Sequence, residues 1–262
     1  MRLAVALIAC LFAGLAQAGA DSGCTGDIED ALRRVQPKVE IQGPAVSPHC
    51  KPWPPSAGKV VAAVMAFEQG SDGERQWLGV LALLDARTNR ILHSHRFKVG
   101  EDAVTSVGEY SLRLDTAPYA LAPGVRALGL RYSSASSGPS AADARYGDEL
   151  TLFVPEARQL RPVLGLPMSS AQAIKGCLGS CPNAVWDEAT LTIAVGAAGP
   201  QGWNDLLVTA AVVRESNAES APLDRKPQRE RRVYRYDGSA YRREAEAPWW
   251  EGYCCTVGWT GR

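Results

Sequence analysis

Histidine is scarce in this sequence: three stand among 262 residues, at positions 49, 93 and 95. Imidazole is the commonest metal ligand and acid–base group near neutral pH, so the shortage narrows the room for either chemistry. Net charge is missing too. The 28 basic side chains balance 28 acidic ones, which removes the long-range field that draws a chain toward nucleic acid. Past the first twenty residues, no apolar run approaches the roughly 20 residues of a membrane-spanning helix. No G-x-S-x-G, H-E-x-x-H or phosphate-cradling glycine loop occurs. Ser56-Ala-Gly-Lys59 spells S-x-x-K, but no S-D-N or K-T-G partner follows, and Pro54-Pro55 places it in a loop.

What is there begins with an export signature. Met1-Arg2 is followed by the apolar run Leu3–Leu15 and then Ala16-Gln17-Ala18, the small-x-small site of a secretory signal peptide. Cleavage is expected after residue 18, leaving a bacterial periplasmic or secreted chain with no membrane span. Leu7-Ile8-Ala9-Cys10 matches a lipobox, but hardly any apolar segment precedes it, so it is read as coincidence. Six cysteines follow the cleavage site: Cys24, Cys50, Cys177, Cys181, Cys254 and Cys255. An even number in an exported chain reads as a disulfide framework. Cys24 and Cys50 bracket the N-terminal segment and are expected to pair, while Cys177 and Cys181 can close a tight local loop. Adjacent Cys254 and Cys255 cannot easily bond each other, because a bridge wants Cα atoms about 4.4–6.8 Å apart. A disulfide from this pair is therefore expected to tie the C-terminal tail to the body. A zinc site would want C-x2-C pairs, which are absent.

The apolar runs repeat in three units, about 38–99, 108–165 and 189–245, within one domain spanning 19–262. Val60–Glu68, Gln76–Leu84 and Ile91–Val99 form the first arm; Val125–Ser133, Asp148–Val154 and Leu160–Leu164 the second; Leu206–Glu215, Arg232–Tyr236 and Tyr241–Arg243 the third. Ser111–Asp115 and Thr190–Val195 precede the second and third arms. They alternate apolar and polar residues with the period of two that a half-buried strand requires. Asp237-Gly238 is a hairpin turn signal. Helix signals are confined to Ile28–Gln36, capped by Asp27, and one turn from Ser169 or Ser170 to Gly176. The fold class is therefore all-β: serial antiparallel blade-like units, partly propeller-like, with a β-sandwich as the alternative and one short N-terminal helix.

The segment Gly202-Trp-Asn-Asp-Leu-Leu-Val208 through Arg232-Val-Tyr-Arg-Tyr-Asp-Gly238 resembles a blade of the FG-GAP (integrin-type) propeller repeat. It lacks the Asp-rich calcium loop and the Phe-Gly and Gly-Ala-Pro signatures of that repeat. Separately, Asp115 to Arg131 resembles a segment of uncharacterised exported proteobacterial proteins, a resemblance that implies export and no activity.

Candidate chemistry is thin. His93 and His95 leave the same face of a predicted strand and can begin a metal site, with His49 or a carboxylate completing it. The alternative is a polar strand face among Arg90, Arg96 and Lys98, basic neighbours that disfavour a divalent cation. The acid pairs Glu29-Asp30, Asp148-Glu149 and Asp187-Glu188 read as surface groups. Adjacent strand residues point to opposite sides, so the second pair is not expected to share a pocket. Arg225, Lys226, Arg229, Arg231 and Arg232 gather in what reads as a solvated loop. Trp249, Trp250, Tyr253 and Trp259 form the densest aromatic cluster, either covering an apolar edge or presenting a recognition surface. No cofactor is implied. The expected function is an exported, non-enzymatic binding module for another protein or a glycan, in the manner of an inhibitor or immunity protein, with no nucleic-acid partner. The alternatives are a hydrolase with scattered residues and a structural envelope component.

Overall fold

The computed structural model describes residues 23–35, 41–69, 75–218, 226–252 and 254–256. The expected signal segment, Tyr253 and Trp259 lie outside them. Helix α1 (Gly26–Arg33) starts from Thr25 and carries Asp27 and Glu29 in its first turn, where carboxylates favour the positive end of the helix dipole. Its buried face, Ile28, Ala31 and Leu32, packs on Ala63, Met65, Phe67, Val80, Ala82 and Leu84. The expected disulfide Cys24–Cys50 staples it there.

The strands are β1 (Ile41–Pro52), β2 (Val60–Gln69), β3 (Gln76–Asp85), β4 (Ile91–Gly100), β5 (Leu112–Asp115), β6 (Ala120–Ala122), β7 (Val125–Arg126) and β8 (Leu128–Tyr132), then β9 (Ala141–Ala142), β10 (Ala144–Glu156), β11 (Gln159–Lys175), β12 (Leu178–Gly179), β13 (Val185–Ala198), β14 (Asn204–Ser216), β15 (Gln228–Tyr236) and β16 (Tyr241–Arg243). Twelve form one sheet; β6–β7 and β9–β12 are separate two-stranded ladders. Among the described residues the fold is all-β apart from α1 and two short 3-10 turns.

Each expected three-stranded arm forms: β2–β3–β4, β8–β10–β11 and β14–β15–β16, with β5 beside β8 and β13 beside β14. The described residues form no closed propeller. The reason is β11, whose 17 residues reach β4 at Gln159 and β13 from Ser169 to Lys175, so the arms join edge to edge. The same two-sided pairing overrides the helical turn expected after Ser169: these residues stay extended between β10 and β13. The basic cluster is corrected similarly. Gln228 already pairs with Val212, so Arg229, Arg231 and Arg232 belong to strand β15.

Two cores share β10 and β11. On one side, the path β1–β2–β3–β4–β11–β10–β8–β5 curls back on itself. Its seam is made by side chains: the Leu112 N–H donates to Ser47 Oγ and the Leu114 N–H to His49 Nδ1, each at 2.7 Å. Val64, Leu81, Phe97, Leu114, Leu130, Phe153 and Leu160 fill this barrel-like interior. Gly79 stands opposite Phe97, where an added Cβ would lie 2.1 Å from the ring. On the other side, Leu150, Leu152, Leu191, Leu206, Val208, Tyr234 and Trp250 form the second core. Strands β2 and β3 are buried on both faces, one toward the barrel and one under α1, which explains their unbroken apolar runs.

Candidate functional site

A concavity opens at the end of the barrel where Tyr132 closes the interior. It is a groove of about 650 Å³ between the loop that leaves β8 and the first half of β10. Burial pushes the Tyr132 phenol up to about 12, and its hydroxyl donates to the Ser106 carbonyl at 3.0 Å. Mouths of barrels are common places for ligand sites.

Three walls frame the groove, and each is locked by hydrogen bonds. The first is a pair of loops. Asp102 accepts from the N–H groups of Val104 and Thr105, at 2.8 and 2.7 Å, which holds its carboxyl below the ordinary range. Ser134 Oγ accepts from the Ser106 and Ser136 N–H groups, while Ser136 Oγ donates to the Ala103 carbonyl. These turns are the backbone-mimicking bonds that serine and aspartate favour.

The second wall explains the tight cysteine loop. Cys177 and Cys181 are bonded, as expected, and the enclosed β12 pairs with β9 through Leu178–Ala142 and Gly179–Ala141. Ser180 N–H adds a bond to the Ser140 carbonyl at 2.9 Å. Gly179 has φ +108, and a Cβ there would meet the same carbonyl oxygen at 2.6 Å, so this approach requires glycine.

The third wall is the C-terminal strap, where two expectations are corrected. Cys254 and Cys255 bond each other and tie nothing to the body, since the other four expected cysteines are already paired among themselves. The strap is held instead by Trp250 and Thr256. Trp250 is fully buried; its indole N–H donates to Glu230 at 3.0 Å and its carbonyl accepts from the Ser170 hydroxyl at 2.7 Å. Gly252 lies against the Tyr146 ring. Thr256 binds Glu149 through both its N–H and its hydroxyl.

Of the expected aromatic cluster, the described residues are Trp249 and Trp250. Trp250 is an anchor inside the second core, and Trp249 is half-buried against it. The histidines do not assemble. His93 and His95 share a face, opposite Leu83 and Leu81, so they point toward the barrel and not to a solvated basic surface. The His95 ring sits 4.9 Å from that of Phe153, and burial holds its pKa below the ordinary value. His49 is occupied at the barrel seam, and no group of three metal-ligating side chains occurs among the described residues.

Asp148 and Glu149, expected to face apart, both line the groove. Asp148 is neutralised by Arg113 and Arg131 at 2.9 and 2.7 Å. Both carboxylates are reached because Asp148 has φ +48, a left-handed conformation that breaks the strand alternation between them. The remaining lining is rich in hydroxyls, including Ser137, Ser169 and Tyr146, and contains no histidine, cysteine or lysine. The signal for it in the sequence was the polar stretch between Ser134 and Gly147, together with Cys177 and Cys181.

No family model matches this chain, and no curated protein or solved structure matches it.

Proposed function

We propose that the chain is an exported binding module that recognises another protein through the groove beside β10, without catalysing a reaction. The observation that carries this reading is the locking of all three walls by hydrogen bonds within the chain, since a site held in shape by its own bonds loses little ordering entropy on binding. The lining supports recognition over chemistry. Ser134, Ser136 and Ser170 are engaged with backbone groups. None of the three histidines stands among the lining residues to act as a base. The disulfides Cys24–Cys50 and Cys177–Cys181 are compatible with an oxidising, extracytoplasmic compartment. No helix among the described residues is long and apolar enough to cross a membrane.

The test is selective filling of the groove. Ser137 is exposed and Ser169 half-buried, both in the lining. Ser137→Trp and Ser169→Trp should abolish retention of a protein partner from the exported fraction of the host at an unchanged melting temperature. Equal retention by folded variants and wild type would overturn the assignment. Retention that survives protease treatment of the fraction but not deglycosylation would mean that the ligand is a glycan.

A further inference from the structure

We infer that the groove receives an extended polypeptide segment as an added β-strand alongside Ala144–Asp148. The inference rests on the protein-binding reading and specifies how the partner is held.

Strand β10 outlasts its neighbour. Strand β8 pairs Leu128–Tyr132 with Phe153–Glu149 and then leaves the sheet into the serine loop. Strand β10 continues to Ala144, and over that extension it is paired with β11 alone, through Gln172 to Ser169. On the side that β8 vacates, the backbone of residues 144–148 makes no hydrogen bond to any described residue. An unpaired row of N–H and C=O groups is a template for another strand, and natural proteins usually blunt or cover it.

The groove lies on that edge. Six consecutive residues, Ala144 to Glu149, line it. A cavity over a sheet face would be lined by every second residue, because strand side chains alternate. From Ala144 to Gly147, ahead of the left-handed Asp148, the consecutive run marks a cavity that follows the edge, where side chains of both faces and the backbone between them are accessible. The overhanging serine loop, pinned by the bonds of Ser134 and Ser136, shields this edge from indiscriminate pairing. In strand addition the backbone ladder supplies affinity, and contacts to alternate side chains supply selectivity.

Charge fixes the kind of segment. With Asp148 neutralised and Glu149 held by Thr256, Asp102 and Glu188 outnumber the one arginine of the lining, Arg145. A segment carrying lysine or arginine fits this excess of carboxylate, and Val104, 53% exposed at the rim, offers an apolar contact for its other side chains.

The probes are the synthetic peptide Lys-Thr-Val-Thr-Val-Lys, the same peptide N-methylated at alternate backbone amides, and a version with glutamate at both ends. Binding is read by titration on the full chain, and its location by amide hydrogen exchange. Strand addition predicts that the first peptide binds and slows exchange among the amides of residues 144–148. N-methylation should then weaken binding by about tenfold or more, since it removes the peptide's donors to the backbone ladder. The glutamate version should bind more weakly at low salt. Equal binding of the N-methylated peptide, or protection elsewhere, would overturn strand addition while leaving the groove a binding site. No binding of any of the peptides at millimolar concentration would also overturn it. The groove-filling capture experiment is independent of these peptides and judges the wider reading alone.

Discussion

Thr256 gives Glu149 two hydrogen bonds, from its N–H at 2.6 Å and from its hydroxyl at 3.0 Å, and so fastens the end of the described chain to the strand that borders the groove. The contact joins residues that are 107 apart in sequence. It makes the strap part of the site's wall, held at one end by a buried tryptophan and at the other by a carboxylate.

Glu149→Ala is therefore expected to release residues 254–256, with faster exchange of the Thr256 amide and a modest loss of stability, about 1–3 kcal/mol for an N–H left without its charged acceptor. Thr256→Ala, which keeps the N–H donor, should cost about 1 kcal/mol or less. Thermal unfolding and hydrogen exchange on the two variants check the ordering. Equal, negligible effects would mean that the strap is held elsewhere.

Trp250→Ala should be far more damaging. The side chain is fully buried and its indole N–H serves Glu230, so about 3–5 kcal/mol of stability is at stake. Trp249→Ala, at a half-buried position, should cost clearly less. Denaturant unfolding of both variants measures the difference, and similar losses would contradict the assigned burial.

His95 predicts an acid limb in the stability profile. Its native pKa lies below the ordinary value of 6.5, chiefly because burial beside Phe153 penalises the charged ring. The unfolded chain then binds the proton more readily than the native one. The neutral ring's contribution is fully present above pH 6.5 and is lost as pH falls through the native value. His95→Phe should flatten this limb of the unfolding free energy below pH 6.5. An unchanged slope would show that His95 is not buried.

Gly79 and Phe97 form a similar test of the barrel. Gly79→Val should destabilise strongly, because Cβ would overlap the Phe97 ring, and adding Phe97→Leu should recover part of the loss. Additive losses in the double variant would mean that the two residues are not in contact.

Much of the strand content was legible because alternation and turn chemistry act locally. Leu112 and Leu114, Leu191, and the turn at Asp237, whose carboxylate accepts from the Ser239 and Ala240 N–H groups, all stand as their patterns indicate. The long-range joins were not legible. A run such as β11 shows no sign, residue by residue, that it will pair with β4 at one end and β13 at the other. Ser169 and Ser170 carry a capping signal that two-sided pairing overrides. The groove escaped notice for the same reason: it exists because β10 is longer than β8, a difference that appears only once both are in register. For Trp250, composition could not separate a buried anchor from an exposed ring, and it is a buried anchor.

The most direct measurement of the central claim is an amide-exchange footprint of the protein with and without its captured partner. Recognition through the groove predicts slowed exchange at residues 144–148 and in the serine loop from Ser133 to Gly138, with the outer faces of β13, β14 and β15 unaffected. Protection confined to those outer faces would contradict it.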